Sequence, residues 1–112
     1  MHFYSKLYLD DKTKDQYKKI RRKLKYHAGL FNTYIIAVSE GRDYFDLIPG
    51  FVFKQKAYPV KDMLVLGLAD GYDSALDLAT KAFNDLTEEY GTVYFKEDFL
   101  KDKDKKFSGF KG

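Results

Sequence analysis

Residues 63–76 read MLVLGLADGYDSAL, and this stretch decides the fold. The apolar run Met63–Ala69 is typical of a strand covered on both faces, or at least of a central one. The run stops at an Asp-Gly turn, and an apolar pattern with helical spacing begins at once. The stretch therefore predicts a strand, a turn and a helix near the middle of the fold.

Further elements are predicted on both sides of this unit. Alternating or β-branched apolar residues predict strands, and apolar residues three and four positions apart predict helices. Gly29 and Gly91 are suitable residues to end the two helices. The predicted strands cover residues 3–9, 33–39, 63–69 and 93–99, and the predicted helices cover residues 12–27 and 72–90.

The order of these elements, βαββαβ, is that of an α+β ferredoxin-like sheet with two helices on one face. Such a sheet leaves its other face open. Within residues 41–60, Pro49-Gly50 is a strong turn signal, and residues 51–57 predict a short extra strand or an extended arm. We expect a single domain over residues 1–100. The charged segment 101–112 (KDKDKKFSGFKG) is predicted to be a flexible tail.

Composition excludes several kinds of site. The chain has 112 residues and no cysteine, which excludes disulfides and thiolate zinc sites. Charged residues interrupt the N-terminal apolar pattern, and the longest apolar run is far below the roughly 20 residues that span a bilayer. These features predict a cytoplasmic protein without a membrane segment, and no cofactor motif is present.

Two segments resemble a known group of proteins. The segment Leu7–Lys12 (LYLDDK) enters a Lys-rich helix, and Leu66–Leu78 reads LGLADGYDSALDL. Together they resemble short uncharacterised bacterial proteins that open with a strand, a basic helix and a second strand. The resemblance supports the domain boundary and the cytoplasmic expectation. It implies no activity, cofactor or site residue.

Positive charge is concentrated in the first helix. Residues 1–30 carry a net charge of +6, and the remainder carries −3. Lys18, Arg22 and Lys25 fall on one helix face, opposite the apolar stripe, and could neutralise nucleic-acid phosphates. The alternative is a solvated face whose charge partly answers the acidic second helix. The flanking basic residues are Lys14, Lys19, Arg21 and Lys23.

The aromatic content is high, with ten Tyr and ten Phe. Tyr4 and Tyr8 share the face of the first strand opposite Leu7 and Leu9. On an open sheet they would form a base-stacking platform. The segment Gly50–Phe53 (GFVF) matches the RNP1 motif only in part. The favoured alternative is that the aromatic residues fill a core or a dimer interface.

The turn between Gly67 and Gly71 is a candidate anion or ligand site, because backbone N–H groups meet a helix N-terminus there. Asp70 and Asp73 already supply negative charge at this helix end. Capping is therefore the favoured interpretation.

No catalytic set is predicted. His2 and His27 have no nucleophile or carboxylate at a known motif spacing. Carboxylates alone would have to hold a metal ion, and such clusters are also common on solvated surfaces. The candidate metal ligands are Asp43 with Asp46, and Asp70 with Asp73 and Asp77.

Three functions are compatible with the sequence. The leading hypothesis is a non-enzymatic interaction module that self-associates or binds a protein partner through an aromatic-rich sheet face. The second is nucleic-acid binding through the first helix, with stacking by Tyr4 and Tyr8. The third is a small-molecule regulatory domain, with its ligand near the Gly67–Gly71 turn or under residues 41–60.

Overall fold

The computed structural model describes residues 1–26, 28–39, 41, 44–56 and 61–109. Within these residues the chain forms an α+β domain in which helices pack on one sheet. In chain order the elements are β1 (His2–Leu9), α1 (Asp11–Asp15), α2 (Tyr17–Lys25), β2 (Thr33–Val38), β3 (Phe45–Pro49), a 3-10 helix (Gly50–Lys54), β4 (Leu64–Asp70), α3 (Tyr72–Tyr90), α4 (Lys96–Lys101), α5 (Lys103–Lys106) and β5 (Phe107–Gly109). In the described ranges, no helix is long and apolar enough to cross a membrane.

The sheet has five strands in the order β3-β2-β4-β1-β5. β4 lies at its centre, parallel to β1 and antiparallel to β2. β3 and β5 form the two edges, and each is antiparallel to its neighbour. The predicted interior position of the strand near residues 63–69 is therefore confirmed.

Both faces of the sheet are covered by helices, because consecutive strand residues enter two different apolar clusters. We call the two sides the α2 face and the α3 face. On the α2 face, Phe3, Ile35, Val65 and Leu68 pack with Ile20 and Leu24 of α2. On the α3 face, Tyr4, Ile36, Leu66 and Ala69 pack with Ala75, Ala79, Ala82 and Leu86 of α3.

The observed topology differs from the predicted ferredoxin-like arrangement. That arrangement has four strands and both helices on one face, whereas this sheet has a fifth strand and divides its helices between the faces. The physical reason is the apolar character of β4, which is buried on both sides. One layer of helices covers only one side of such a strand.

A bulge in β4 changes which side chains share a face. Ile36 pairs with Gly67 and Ala37 with Val65, so that Leu66 is the extra residue in the ladder. As a result Leu68 packs on the α2 face with Val65, while Leu66 packs on the α3 face. Strict alternation along the strand would place Leu66 and Leu68 on the same face, and the bulge separates them.

Residues 96–99 belong to α4, so residues 93–99 do not form the predicted last strand. Phe95 and Phe99 are both fully buried, and they lie four residues apart across the start of α4. That spacing is one helical turn, so both rings pack against the α3 face. The apparent alternation of this segment was therefore misleading.

Two other segments also differ from prediction. The extra strand lies at Phe45–Pro49, whereas Gly50–Lys54 forms a 3-10 helix with Phe53 fully buried. In the predicted tail, α5 and β5 extend order to Gly109, and Phe107 is buried beside Tyr4. Ala57 and residues 110–112 lie outside the described residues.

The predicted first helix is divided at Gln16 into α1 and α2. A capping box begins α1: the Asp10 carboxylate accepts from the Thr13 N–H, and the Thr13 hydroxyl accepts from the Asp10 N–H. Ile20 and Leu24 form the predicted apolar stripe of α2. His27, at the predicted end of this stripe, lies outside the described residues.

We expect Leu66→Ala to lower the free energy of unfolding by about 2–5 kcal/mol, because Leu66 is fully buried in the α3-face cluster. Urea titration followed by circular dichroism measures this change. Leu76→Ala is the matched control, since Leu76 is 48% exposed on the same helix–sheet layer. Equal losses for both variants would contradict the burial assigned to β4.

Candidate functional site

The basic surface of α2 is the strongest candidate binding surface. The helix contains six cationic residues and no acidic residue in the sequence YKKIRRKLK. Lys18, Lys19 and Arg22 are exposed, and Lys25 is half-buried with its Nζ 5.7 Å from the centre of the Tyr26 ring. We call these four residues the basic surface.

Packing on the α2 face fixes the direction of the basic surface. Ile20 and Leu24 are buried in the α2-face cluster, so the opposite side of the helix points away from the sheet. Arg21 is held differently from its neighbours. Its guanidinium lies 4.7 Å from the centre of the Phe3 ring and donates to the Tyr17 hydroxyl at 3.2 Å. Arg21 therefore anchors α2 to the sheet.

The acidic second helix does not balance this charge. α3 carries Asp73, Asp77, Asp85, Glu88 and Glu89, but it packs on the other face of the sheet. Within the described part of the chain, Lys18, Lys19 and Arg22 form no ion pair. The sequence also allowed the basic and acidic helices to be neighbours whose charges compensate each other. The structure places them on opposite faces of the sheet, so this alternative is wrong.

Tyr4 and Tyr8 do not form an open stacking platform. Tyr4 is 5% exposed and packs against Phe99 and Phe107, with ring centres 5.7 and 5.4 Å apart. Tyr8 stacks on Tyr4 at 6.3 Å, and its hydroxyl donates to Asp85 at 2.6 Å. Burial and this carboxylate raise the pKa of Tyr8. Tyr4 therefore belongs to the core of the α3 face, and the half-buried Tyr8 packs against that core.

The local structure favours glycine at both ends of the candidate anion turn, Gly67 and Gly71. A Cβ at Gly67 would lie 2.8 Å from the Tyr8 carbonyl oxygen, because β1 and β4 approach closely at the bulge. Gly71 has a φ of +96°, which favours glycine. The Gly71 N–H already donates to the Asn32 carbonyl oxygen at 2.6 Å. The role of this turn in anion binding stays a prediction.

The Asp10 carboxylate lies beside this turn and binds the elements on both sides of it. Its Oδ2 accepts from the Asp70 N–H and from the Ser74 hydroxyl, both at 2.6 Å, and its Oδ1 accepts from the Thr13 N–H at 2.9 Å. Burial raises the pKa of Asp10, but these hydrogen bonds outweigh it and hold the pKa below its ordinary value. Asp10 therefore joins β1, β4 and α3.

The other predicted site residues are not brought together into one site. Asp70 faces Lys12 at 3.4 Å and Asn32 at 3.3 Å, whereas Asp73 and Asp77 are exposed on α3. Among the described residues, no three His, Asp or Glu side chains lie close enough to hold a metal ion.

The remaining candidates are also dispersed. His2 is half-buried in β1, and Asp46 is exposed on β3. Asp43, the other member of the predicted pair with Asp46, lies outside the described residues. The RNP1-like segment Gly50–Phe53 lies in the 3-10 helix rather than on a strand.

Two cavities lie away from the predicted turn. One, of about 370 Å³, lies between the start of β1 and α5 and is lined by His2, Asp62, Leu64, Leu100, Lys103, Asp104 and Phe107. The other, of about 260 Å³, is an open apolar groove between β3 and α3. Phe45 and Leu47, from the segment 41–60 where the sequence predicts a ligand, line this groove, and Thr80 is the one polar residue among the described residues of its lining.

The sequence interpretation lacks two features of the structure. One is the second oxygen of the Asp10 carboxylate, which accepts hydrogen bonds from β4 and α3. The short run Phe45–Pro49 was not recognised as an edge strand. Its alternation of Phe45, Leu47 and Pro49 with Asp46 is the signal that indicates such a strand.

No protein-family model matches this chain, and neither a curated protein nor a solved structure matches it.

We expect the Asp10 carboxylate to contribute stability that depends on pH. A folded-state pKa below the ordinary 3.8 means that this contribution is complete above that pH and is lost as the pH falls through the folded value. Asp10→Asn places an NH₂ group against the Asp70 N–H or removes the bond to Thr13. At pH 7 it should cost about 1–3 kcal/mol.

Urea titrations between pH 2.5 and pH 7 test this expectation. The difference between the wild-type protein and Asp10→Asn should shrink as the pH falls below about 4. Asp15→Asn, an exposed acid at the end of α1, is the control and should change stability little at any pH. A difference that does not vary with pH would contradict the role of the Asp10 charge.

Proposed function

We propose that this protein is a non-enzymatic interaction module that binds nucleic acids through the basic surface of α2. The observation that carries the proposal is the absence of ion-pair partners for Lys18, Lys19 and Arg22 in the described part of the chain. Unpaired cations on a rigid helix can replace the counterions of a polyanion, and the release of those counterions favours binding.

The spacing of the cations fits a phosphate backbone. Lys18, Arg22 and Lys25 follow one line along α2, and seven residues of helix span about 10 Å. That length corresponds to about three phosphates of one strand. The buried pair Ile20 and Leu24 holds the helix against the sheet, so the helix backbone needs little ordering on binding.

Binding by this surface would be independent of sequence. Tyr4 and Tyr8, the aromatic residues that the sequence predicted to stack on bases, belong to the opposite face of the sheet. Contacts to phosphate groups position a protein on nucleic acid but carry no base information. We therefore propose recognition of the phosphate backbone, without the base stacking expected from the sequence.

Fluorescence anisotropy with a labelled 20-nucleotide single-stranded RNA of mixed sequence tests the proposal. We expect binding at 50 mM salt that weakens about 7- to 20-fold at 200 mM, since two to three phosphates of a single strand give a logarithmic slope of about −1.4 to −2.1. Lys18→Glu combined with Arg22→Glu should weaken binding at least about tenfold, because it reverses two of the four charges.

The matched control is Lys81→Glu combined with Lys105→Glu. These two exposed lysines lie on α3 and α5, so the control changes the net charge equally but leaves the basic surface intact. We expect it to weaken binding far less. Equal weakening by both double variants, or no binding of RNA or duplex DNA at micromolar protein, would overturn the proposal.

Self-association or binding of a protein partner, the other interaction expected from the sequence, requires a surface different from the aromatic sheet face. That face is covered by α3 and α4. The free edge at β3 provides an exposed apolar surface beside it.

A further inference from the structure

Among the described residues, β3 presents backbone groups at one edge of the sheet that pair with no other strand. The Ser39 N–H donates to the Tyr44 carbonyl oxygen, and the ladder pairs Ala37 with Asp46 and Ile35 with Ile48. In an antiparallel pair, hydrogen-bonded positions alternate along each strand. Tyr44, Asp46 and Ile48 therefore bond to β2. The backbone N–H and C=O groups of Phe45 and Leu47 point outward, as does the Pro49 C=O.

Proline at position 49 is consistent with this assignment. The Pro49 nitrogen has no hydrogen and faces outward, where no ladder bond to β2 is lost. The outward groups that remain are two N–H and three C=O groups over five residues. They form a short template for another strand.

An apolar groove runs beside these backbone groups. The side chains of Phe45 and Leu47 line it from β3, and those of Leu76 and Phe83 line it from α3. Leu76 is 48% exposed, and Tyr72, one helical turn before it, is 53% exposed. The same two β3 residues thus offer both backbone hydrogen bonds and apolar side chains on one side of the sheet.

The position of Leu47 favours a second copy of this chain as the occupant. Leu47 is the central residue of β3, and both of its backbone groups point outward. An antiparallel copy would therefore pair Leu47 with itself across a two-fold axis and Phe45 with Pro49 of the partner subunit. This register gives about four hydrogen bonds.

Charge does not oppose this register. Asp46 is the only charged residue of β3, and it would lie opposite the partner's Ile48 rather than opposite another carboxylate. The other edge strand, β5, has only three residues, which makes it a shorter template.

We propose that two copies of this chain associate through β3, with Leu47 opposite the partner's Leu47, to form one continuous ten-stranded sheet. The two grooves would meet across the axis and bury their apolar walls against each other. The interface is isologous, so it closes at two subunits. This proposal is independent of nucleic-acid binding, because β3 and the basic surface of α2 share no residue.

Sedimentation velocity of the full chain between about 10 and 200 µM is the first test. We expect the mean mass to rise from that of a monomer toward that of a dimer over this range, as a small interface implies. A strict monomer at every concentration would overturn the proposal. The measurement uses no nucleic acid, so its outcome and that of the RNA experiment are separate.

Charged substitutions at Leu47 test the register. Leu47→Lys and Leu47→Glu each place two like charges opposite each other, so each variant alone should dissociate at least about tenfold more readily than the wild-type protein. An equimolar mixture of the two should form a heterodimer, because the charges are then opposite. Tyr26→Lys, at an exposed position after α2, is the control and should dimerise like the wild-type protein.

Only a two-fold axis at Leu47 predicts this reciprocal rescue. A mixture that stays monomeric, or a single charged variant that stays dimeric, would overturn the register and with it the proposal. Circular dichroism confirms that each variant is folded.

The wild-type protein gives a second test that needs no substitution. The amides of Phe45 and Leu47 should exchange hydrogen more slowly at 200 µM than at 10 µM, and unchanged exchange would also overturn the proposal.

Discussion

Burial of β4 on both faces is the constraint on which the rest of the structure depends. Val65, Leu66, Leu68 and Ala69 are all fully buried, and they alternate between two apolar clusters. A strand of this kind requires a covering layer on each side. The chain meets this requirement by packing α1 and α2 on one face and α3 and α4 on the other. The separation of the basic and acidic helices follows directly from that division.

The parallel pairing of β1 and β4 has a second consequence. Because parallel strands end at the same edge of the sheet, Asp10 after β1 comes next to Asp70 at the end of β4. The Asp10 carboxylate can therefore cap α1 through Thr13 and also accept from Ser74 in the first turn of α3. One side chain thereby ties together helices that lie on opposite faces. The arrangement supplies from within the chain the negative charge that a helix N-terminus favours.

The sequence predicted the elements whose patterns depend on local spacing. The bounds of α3 agree with prediction, and β1, β2 and β4 agree within a residue at each end. The failures occurred where two periods fit the same residues. Phe95 and Phe99 fit both a strand, as alternate positions, and one turn of a helix. The tertiary contact with Tyr90 and Tyr4 selects the helix, and no local pattern records that contact.

The difference between local sequence patterns and tertiary packing also explains which aspects of function could be predicted. The positive charge of α2 is evident from the sequence, but its isolation from the acids of α3 depends on which face each helix covers. The short strand at Phe45–Pro49 has too few residues for a clear pattern, and its significance lies in being an edge. Edge position is a property of the whole sheet order, which no segment specifies. In this protein the chemistry of a residue can be predicted from the local sequence, whereas its exposure to a partner depends on how the helices and strands pack around β4.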